Sequence, residues 1–282
     1  ARMAKAKATH TEMYQQIQAA ANIIRTYTRC KPDVGIVLGT GLGALGEQIK
    51  DRAVIPYTDL PHFPQTTLDS HAGELIVGKL NGRTVAALSG RFHYYEGYSM
   101  QEITLPVRVL KALGVETIIT SGACGGLNPQ HAKGDVLIIE DHINLMGANP
   151  LIGPNDEAIG PRYPDMSQPY DKRLIRLALD TGIRIGLRCH TGVYVAVAGP
   201  NLETRAEYRM LRAIGADVVG MSVVPEVLVA VHAGMKVMGM AIITDMCLPD
   251  ALQPTDISEI IRVANHAEKK MTAIVAQMMP EI

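Results

Sequence analysis

Hydrophobic positions in this chain alternate between a helical period and short unbroken apolar runs. Across 12–28, Ile17, Ala20, Ile23 and Ile24 fall on one face, which predicts an amphipathic helix. Residues 34–38 form a β-branched run that stops at Gly39, the pattern of a buried strand entering a glycine turn. Residues 74–80 and 83–88 flank Asn81-Gly82, a pair suited to the positive φ of a two-residue hairpin turn. Residues 101–113 read as a helix closed by Gly114. Further strands are expected at 115–120, 135–139, 193–198, 217–222 and 236–244. They alternate with helices at 170–181, 203–214, 225–233 and 257–278. This alternation predicts a single α/β domain spanning 1–282, with a central mixed, largely parallel β-sheet flanked by helices. Residues 1–8 are expected to be a mobile end.

Composition narrows the class. A chain of 282 residues, 47% of them hydrophobic, is long enough to bury a sizeable core. Two Phe and no Trp make that core aliphatic, with 14 Met as adaptable filler. A net charge of −1 argues against a nucleic-acid surface built on bulk charge, and no nucleic-acid partner is expected. No membrane-length apolar run and no leader pattern is visible, which points to the cytoplasm and to no membrane contact. Cys30, Cys124, Cys189 and Cys247 lack CxxC or metal-ligand spacing, so free thiols and no metal site are expected.

In such sheets, ligands bind beyond the carboxyl ends of strands. At those ends the sequence places Thr40, Ser121, Glu203, Ser222 and Asp245. Gly39-Thr-Gly-Leu-Gly43 can bring backbone N–H groups close to a phosphate, with Thr40 adding a hydroxyl; a tight structural turn is the plainer reading. Gly39, Gly41 and Ala44 also fit a dinucleotide fingerprint, as in an NAD-binding oxidoreductase. Its acid would be Asp59, which lies between two prolines rather than on a strand, so that reading is discounted. In the run from Gly90 to Gly97, Arg91 offers a bidentate fork for oxyanions, His93 can share its face, and Tyr95 can meet a sugar. His71, among small residues, is a third candidate. Glu203 stands at a helix start, either satisfying the dipole or accepting from a base edge. Asp245 directly follows an apolar strand, where burial would suit it to proton transfer.

Together these motifs resemble the trimeric, low-molecular-mass purine nucleoside phosphorylases over about 34–244. The shared stretches include Gly39-Thr-Gly-Leu-Gly43, His71-Ala-Gly73, Gly90-Arg-Phe-His-Tyr-Tyr-Glu-Gly97, Gly125-Gly-Leu-Asn-Pro129, Gly153-Pro-Asn-Asp156 and Gly220-Met-Ser-Val-Val-Pro-Glu226. The resemblance implies a nucleoside phosphorylase fold and phosphorolysis of purine nucleosides and 2′-deoxynucleosides to free base and pentose 1-phosphate. Inorganic phosphate is then a co-substrate, and no cofactor is needed. Phosphate would be held by Thr40, His71, Arg91, His93, the Ala123 backbone and Ser222. Tyr95 and Met221 would line the ribose. Glu203, Leu202, Val219, Gly220 and Asp245 would meet the base, with Glu203, Asp245 and His93 the catalytic set. Tyr163 would reach a neighbouring subunit's ribose, which implies a homotrimer.

Besides Thr40, where the family more often has Ser, and Leu202, where an aromatic is common, two departures bear on specificity. The family usually carries Asn where this chain has Asp245, and Asp there is typical of the related methylthioadenosine phosphorylases. An ionised Asp accepts from a 6-amino group and repels a 6-oxo group. Near the C-terminus, Ile257 occupies the slot where many members bind the ribose 5′-hydroxyl with His; His266 is the other candidate. A catalytically silent purine-binding protein is a further alternative.

Overall fold

The computed structural model describes residues 10–39, 42–65 and 73–282. The first helix, α1 (Glu12–Tyr27), is capped by the Thr11 side chain and buries Ile17, Ala20, Ala21 and Ile24, the face expected from its period. The first strand, β1 (Val34–Leu38), is fully buried. β2 (Lys50–Pro56) has no counterpart in the sequence expectations. Its residues are mostly exposed, as on a sheet edge, so the apolar run that marks a strand is missing. β3 (Glu74–Leu80) and β4 (Arg83–Ser89) form the hairpin, with Asn81 at φ 45° and Gly82 at φ 89°.

The remaining elements are α2 (Met100–Leu113), β5 (Thr117–Gly126), β6 (Val136–Leu145), α3 (Lys172–Arg184), β7 (Cys189–Val197), α4 (Arg205–Ala213), β8 (Val218–Gly220), α5 (Val224–His232), β9 (Lys236–Met246) and α6 (Ile257–Met278). The strands lie in the order β2-β3-β4-β1-β5-β8-β7-β6-β9, and an added β5–β9 pairing closes the last five into a ring. The pairs β1–β4, β1–β5, β5–β9, β6–β7 and β7–β8 are parallel. The pairs β2–β3, β3–β4, β5–β8 and β6–β9 are antiparallel, so the sheet is mixed more evenly than expected. Helices cover both faces. One apolar layer draws on α1, α2 and α5, the other on α3 and α6.

Two further expectations change. β5 and β9 run past their predicted ends, so Ser121 and Asp245 lie inside strands rather than after them. The glycine loop after β1 opens a 3₁₀ turn (Gly43–Gln48), not an α-helix, and Asp59 sits in another 3₁₀ turn. The helix N-terminus that a dinucleotide fingerprint needs is therefore absent there. All four cysteines are free thiols. Among the described residues, no helix is long and apolar enough to cross a membrane. The expectations for Thr40, His71 and residues 1–8 lie outside the described residues.

Candidate active site

A cavity of about 270 Å³ opens where β5, β8 and β9 meet. It is lined by most of the residues singled out in the sequence: Arg91, His93, Tyr95, Ala123, Leu202, Glu203, Val219, Gly220, Met221, Ser222, Asp245 and Ile257. Within it the polar groups form two clusters.

The first cluster is built around Arg91, which follows β4 through Gly90. Arg91 is 96% buried, and its fork is already engaged. Nε donates to Glu226 Oε1 at 2.9 Å and Nη2 to Glu226 Oε2 at 2.6 Å, while Nη2 also donates to Thr120 Oγ1 at 2.8 Å. Thr120 Oγ1 in turn donates to Glu226 Oε2, and Nη1 donates to the Ser121 carbonyl. The fork that the sequence offers to oxyanions is thus shared with a carboxylate of the chain itself. The buried cation demands a buried anion, and Glu226 in the first turn of α5 supplies it. Burial alone would lower the Arg91 pKa, but the Glu226 carboxylate outweighs it and holds the guanidinium above its ordinary value. What remains is the Nη1 edge, which lies 3.4 Å from Ser222 Oγ. The same edge faces Gly39, where a Cβ would stand 2.5 Å from Nη1, so only glycine lets that loop approach.

Ser222 is aimed by the turn that links β8 to α5. Val223 has φ 63° and ψ −60°, and Val224 N–H donates to the Ser222 carbonyl at 2.7 Å, closing a three-residue γ-turn. A β-branched residue in that region is strained by about 1–3 kcal/mol, and such strain gathers at functional sites. Nearby, the His93 ring stacks on Tyr95 at 4.8 Å between centroids, and its Nδ1 lies 2.9 Å from Glu96 Oε1.

The second cluster gathers at the other end of the same β5 stretch. β5 and β9 slip register between Cys124 and Gly125: Cys124 pairs with Ile243, but Gly125 pairs with Asp245. The extra residue, Thr244, is a bulge, and bulges re-aim side chains. Asp245 thereby lines the cavity, half-buried rather than buried as expected. Thr244 Oγ1 donates to its Oδ1 at 2.8 Å, and Cys247 Sγ donates to its Oδ2 at 3.2 Å. Glu203 stands one residue ahead of the true N-cap of α4. Thr204 is that cap, with Glu207 completing the capping box, so Glu203 is released from the dipole role. Burial raises the Glu203 pKa, helped by the Asp245 charge, against the hydrogen bond from Tyr208.

Gly122 meets Ser222 and Gly125 meets Asp245, three residues apart on β5, so the clusters lie about 10 Å apart. Two sequence candidates do not join them. Tyr163 is 87% exposed with Arg162 against its ring, and His266 is exposed on α6. Ile257, the other candidate for its slot, does line the cavity, together with Ile260. Tyr208, Cys247, Thr244, Cys124 and Gly125 were not expected there. The one signal for Cys247 is its spacing of two from Asp245.

Fold and cavity together are those of the phosphorylase superfamily, and the chain belongs to it: the family's model matches residues 33–280. Its relatives narrow the placement to the purine nucleoside phosphorylases, which are pentosyltransferases. Over 245 residues it is 53% identical to purine nucleoside phosphorylase 1 of Geobacillus stearothermophilus, covering 87% of this chain and 89% of the relative. A schistosome purine nucleoside phosphorylase solved with hypoxanthine superposes at a TM-score of 0.91 with 41% identity, covering 96% of this chain and 98% of the other. The Schistosoma mansoni enzyme solved with adenosine superposes at 0.89 with 41% identity, covering 94% and 96%.

Proposed function

We propose that this chain transfers the pentosyl group of purine nucleosides to inorganic phosphate in this cavity, and that Asp245 biases it toward 6-aminopurines. One observation carries the reading. A cationic, hydroxyl-bearing cluster and a paired-carboxylate cluster share a single cavity, separated by about the length of a purine nucleoside. Breaking an N-glycosidic bond builds positive charge on the sugar and negative charge on the departing purine. The first cluster suits the phosphate that stabilises the sugar and attacks its anomeric carbon; the second suits the base.

In this reading phosphate sits on the Ser222 hydroxyl, the Ala123 backbone and His93, with Thr40 and His71 completing the set. Arg91 contributes its field and its Nη1 edge, because Glu226 occupies its fork. Tyr95 and Met221 pack on the sugar, and Leu202, Val219 and Gly220 wall the base. Glu203 holds the purine edge, and Asp245 accepts from a 6-amino group. The exposed Tyr163 serves a neighbouring subunit of a homotrimer. Phosphate is the co-substrate and no cofactor enters, in a cytoplasmic enzyme. That a relative is solved with adenosine supports acceptance of a 6-amino base.

The test is phosphorolysis of adenosine and inosine by the wild type and Asp245→Asn. The reading expects the wild type to cleave adenosine and the variant to shift toward inosine by roughly tenfold or more in relative kcat/KM. An unchanged ratio refutes the role of Asp245. Ile257 and Ile260 at the cavity favour one variation, a 5′-methylthio group in place of the hydroxyl. Preference for methylthioadenosine over adenosine in the same assay would establish it.

A further inference from the structure

The two oxygens of Asp245 are held by different donors. Thr244 has one hydroxyl proton and two acceptors, Asp245 Oδ1 at 2.8 Å and the Cys124 carbonyl at 3.2 Å. Cys247 is committed: its thiol donates to Asp245 Oδ2 at 3.2 Å. The thiol is also confined. Cys247 is 2% exposed, and its sulfur sits in the space left by Gly125, where a Cβ would stand 2.5 Å from Sγ. Tyr208, 3% exposed on α4, lines the same cavity wall with Glu203. Glu203, Tyr208, Cys247 and Asp245 thus share one wall of the cavity.

A carboxylate turns easily about its last side-chain torsion, which is broad and roughly two-fold. A donor fixed on one oxygen removes that freedom. We propose that Cys247 is the positioning residue that fixes the plane of the Asp245 carboxylate toward the base and so sets the preference between 6-amino and 6-oxo purines. The inference rests on the reading above, in which Asp245 meets the six-position of the base. Valine at 247 would fill the space without a donor and leave Oδ2 free to turn away. Serine would keep a donor at the same place.

The experiment measures kcat and KM for adenosine and inosine in the wild type, Cys247→Val, Cys247→Ser and Asp245→Asn. Cys247→Val is expected to lower the adenosine-to-inosine ratio of kcat/KM about tenfold, and Cys247→Ser to hold it within about twofold. Cys247→Ala, which removes the donor without adding bulk, gives the same readout if valine impairs folding. Because both substrates are measured on one protein, a general loss of active enzyme cancels in the ratio. Equal changes for both substrates in the valine and alanine variants overturn the proposal. If Asp245→Asn shifts the ratio and these variants do not, Cys247 alone is refuted. If Asp245→Asn also leaves the ratio unchanged, the reading of Asp245 falls with it.

Discussion

Removing Glu226 should expose how much of this site depends on one buried ion pair. Arg91 and Glu226 have side-chain exposures of 3% and 10%, and two parallel hydrogen bonds join them. Glu226→Ala leaves a guanidinium in a nearly dry setting with Thr120 Oγ1, Ser222 Oγ and the Ser121 carbonyl as its acceptors among the described residues. Stranding one member of a buried pair costs about 3–5 kcal/mol. For a chain of this size each kcal/mol lowers Tm by about 2–4 °C, so a fall of about 6–20 °C is expected by thermal scanning at fixed rate. Arg91 also frames Ser222 and the Gly39 loop. A shift there of about 1 Å should lower kcat/KM for phosphate on the order of 100-fold. Adding phosphate at saturation should recover only part of the rate. A Tm loss below about 3 °C, or an unchanged kcat/KM for phosphate, would refute the claim that Glu226 and not phosphate is the resident partner of the Arg91 fork.

Two other substitutions probe the base end. Burial raises the Glu203 pKa, so the folded chain holds that proton more tightly than the unfolded chain does. Glu203 therefore favours folding at low pH, and that contribution is lost as pH rises through its folded pKa. Glu203→Gln should raise Tm at pH 7 relative to the wild type, with a smaller gain near pH 4, and should cut kcat/KM for nucleosides roughly 10- to 100-fold; a gain in Tm independent of pH contradicts the account. Gly125→Ala would put a Cβ 2.5 Å from Cys247 Sγ and 3.3 Å from a Val219 methyl. The crowding should cost about 1–3 kcal/mol and raise KM for the nucleoside while leaving KM for phosphate unchanged, and equal KM changes would count against two separate clusters.

Strong local patterns carried most of the fold. β1 and α6 fall on their expected boundaries because an unbroken apolar run and a long amphipathic period each admit one solution. The 74–89 hairpin follows from Asn81-Gly82. β2 escaped because an exposed edge strand, reading Lys-Asp-Arg-Ala-Val-Ile-Pro, needs no apolar alternation. The closed ring escaped because the β5–β9 pairing is set by long-range packing. The site was legible where a residue type implies its chemistry, as with Glu203 and Ser222. It was illegible where geometry decides. Glu226 gives no sign in sequence that it faces Arg91, 135 residues away. Nothing local marks Thr244 as the bulge that turns Asp245, and Tyr208 enters only because α4 places it beside Glu203.

The most direct measurement is product analysis of purine nucleoside turnover with and without inorganic phosphate. The account predicts free base and an equimolar pentose 1-phosphate with phosphate present, and no base release above background without it. Base release that is independent of phosphate, or no turnover of any purine nucleoside by folded protein, would contradict it.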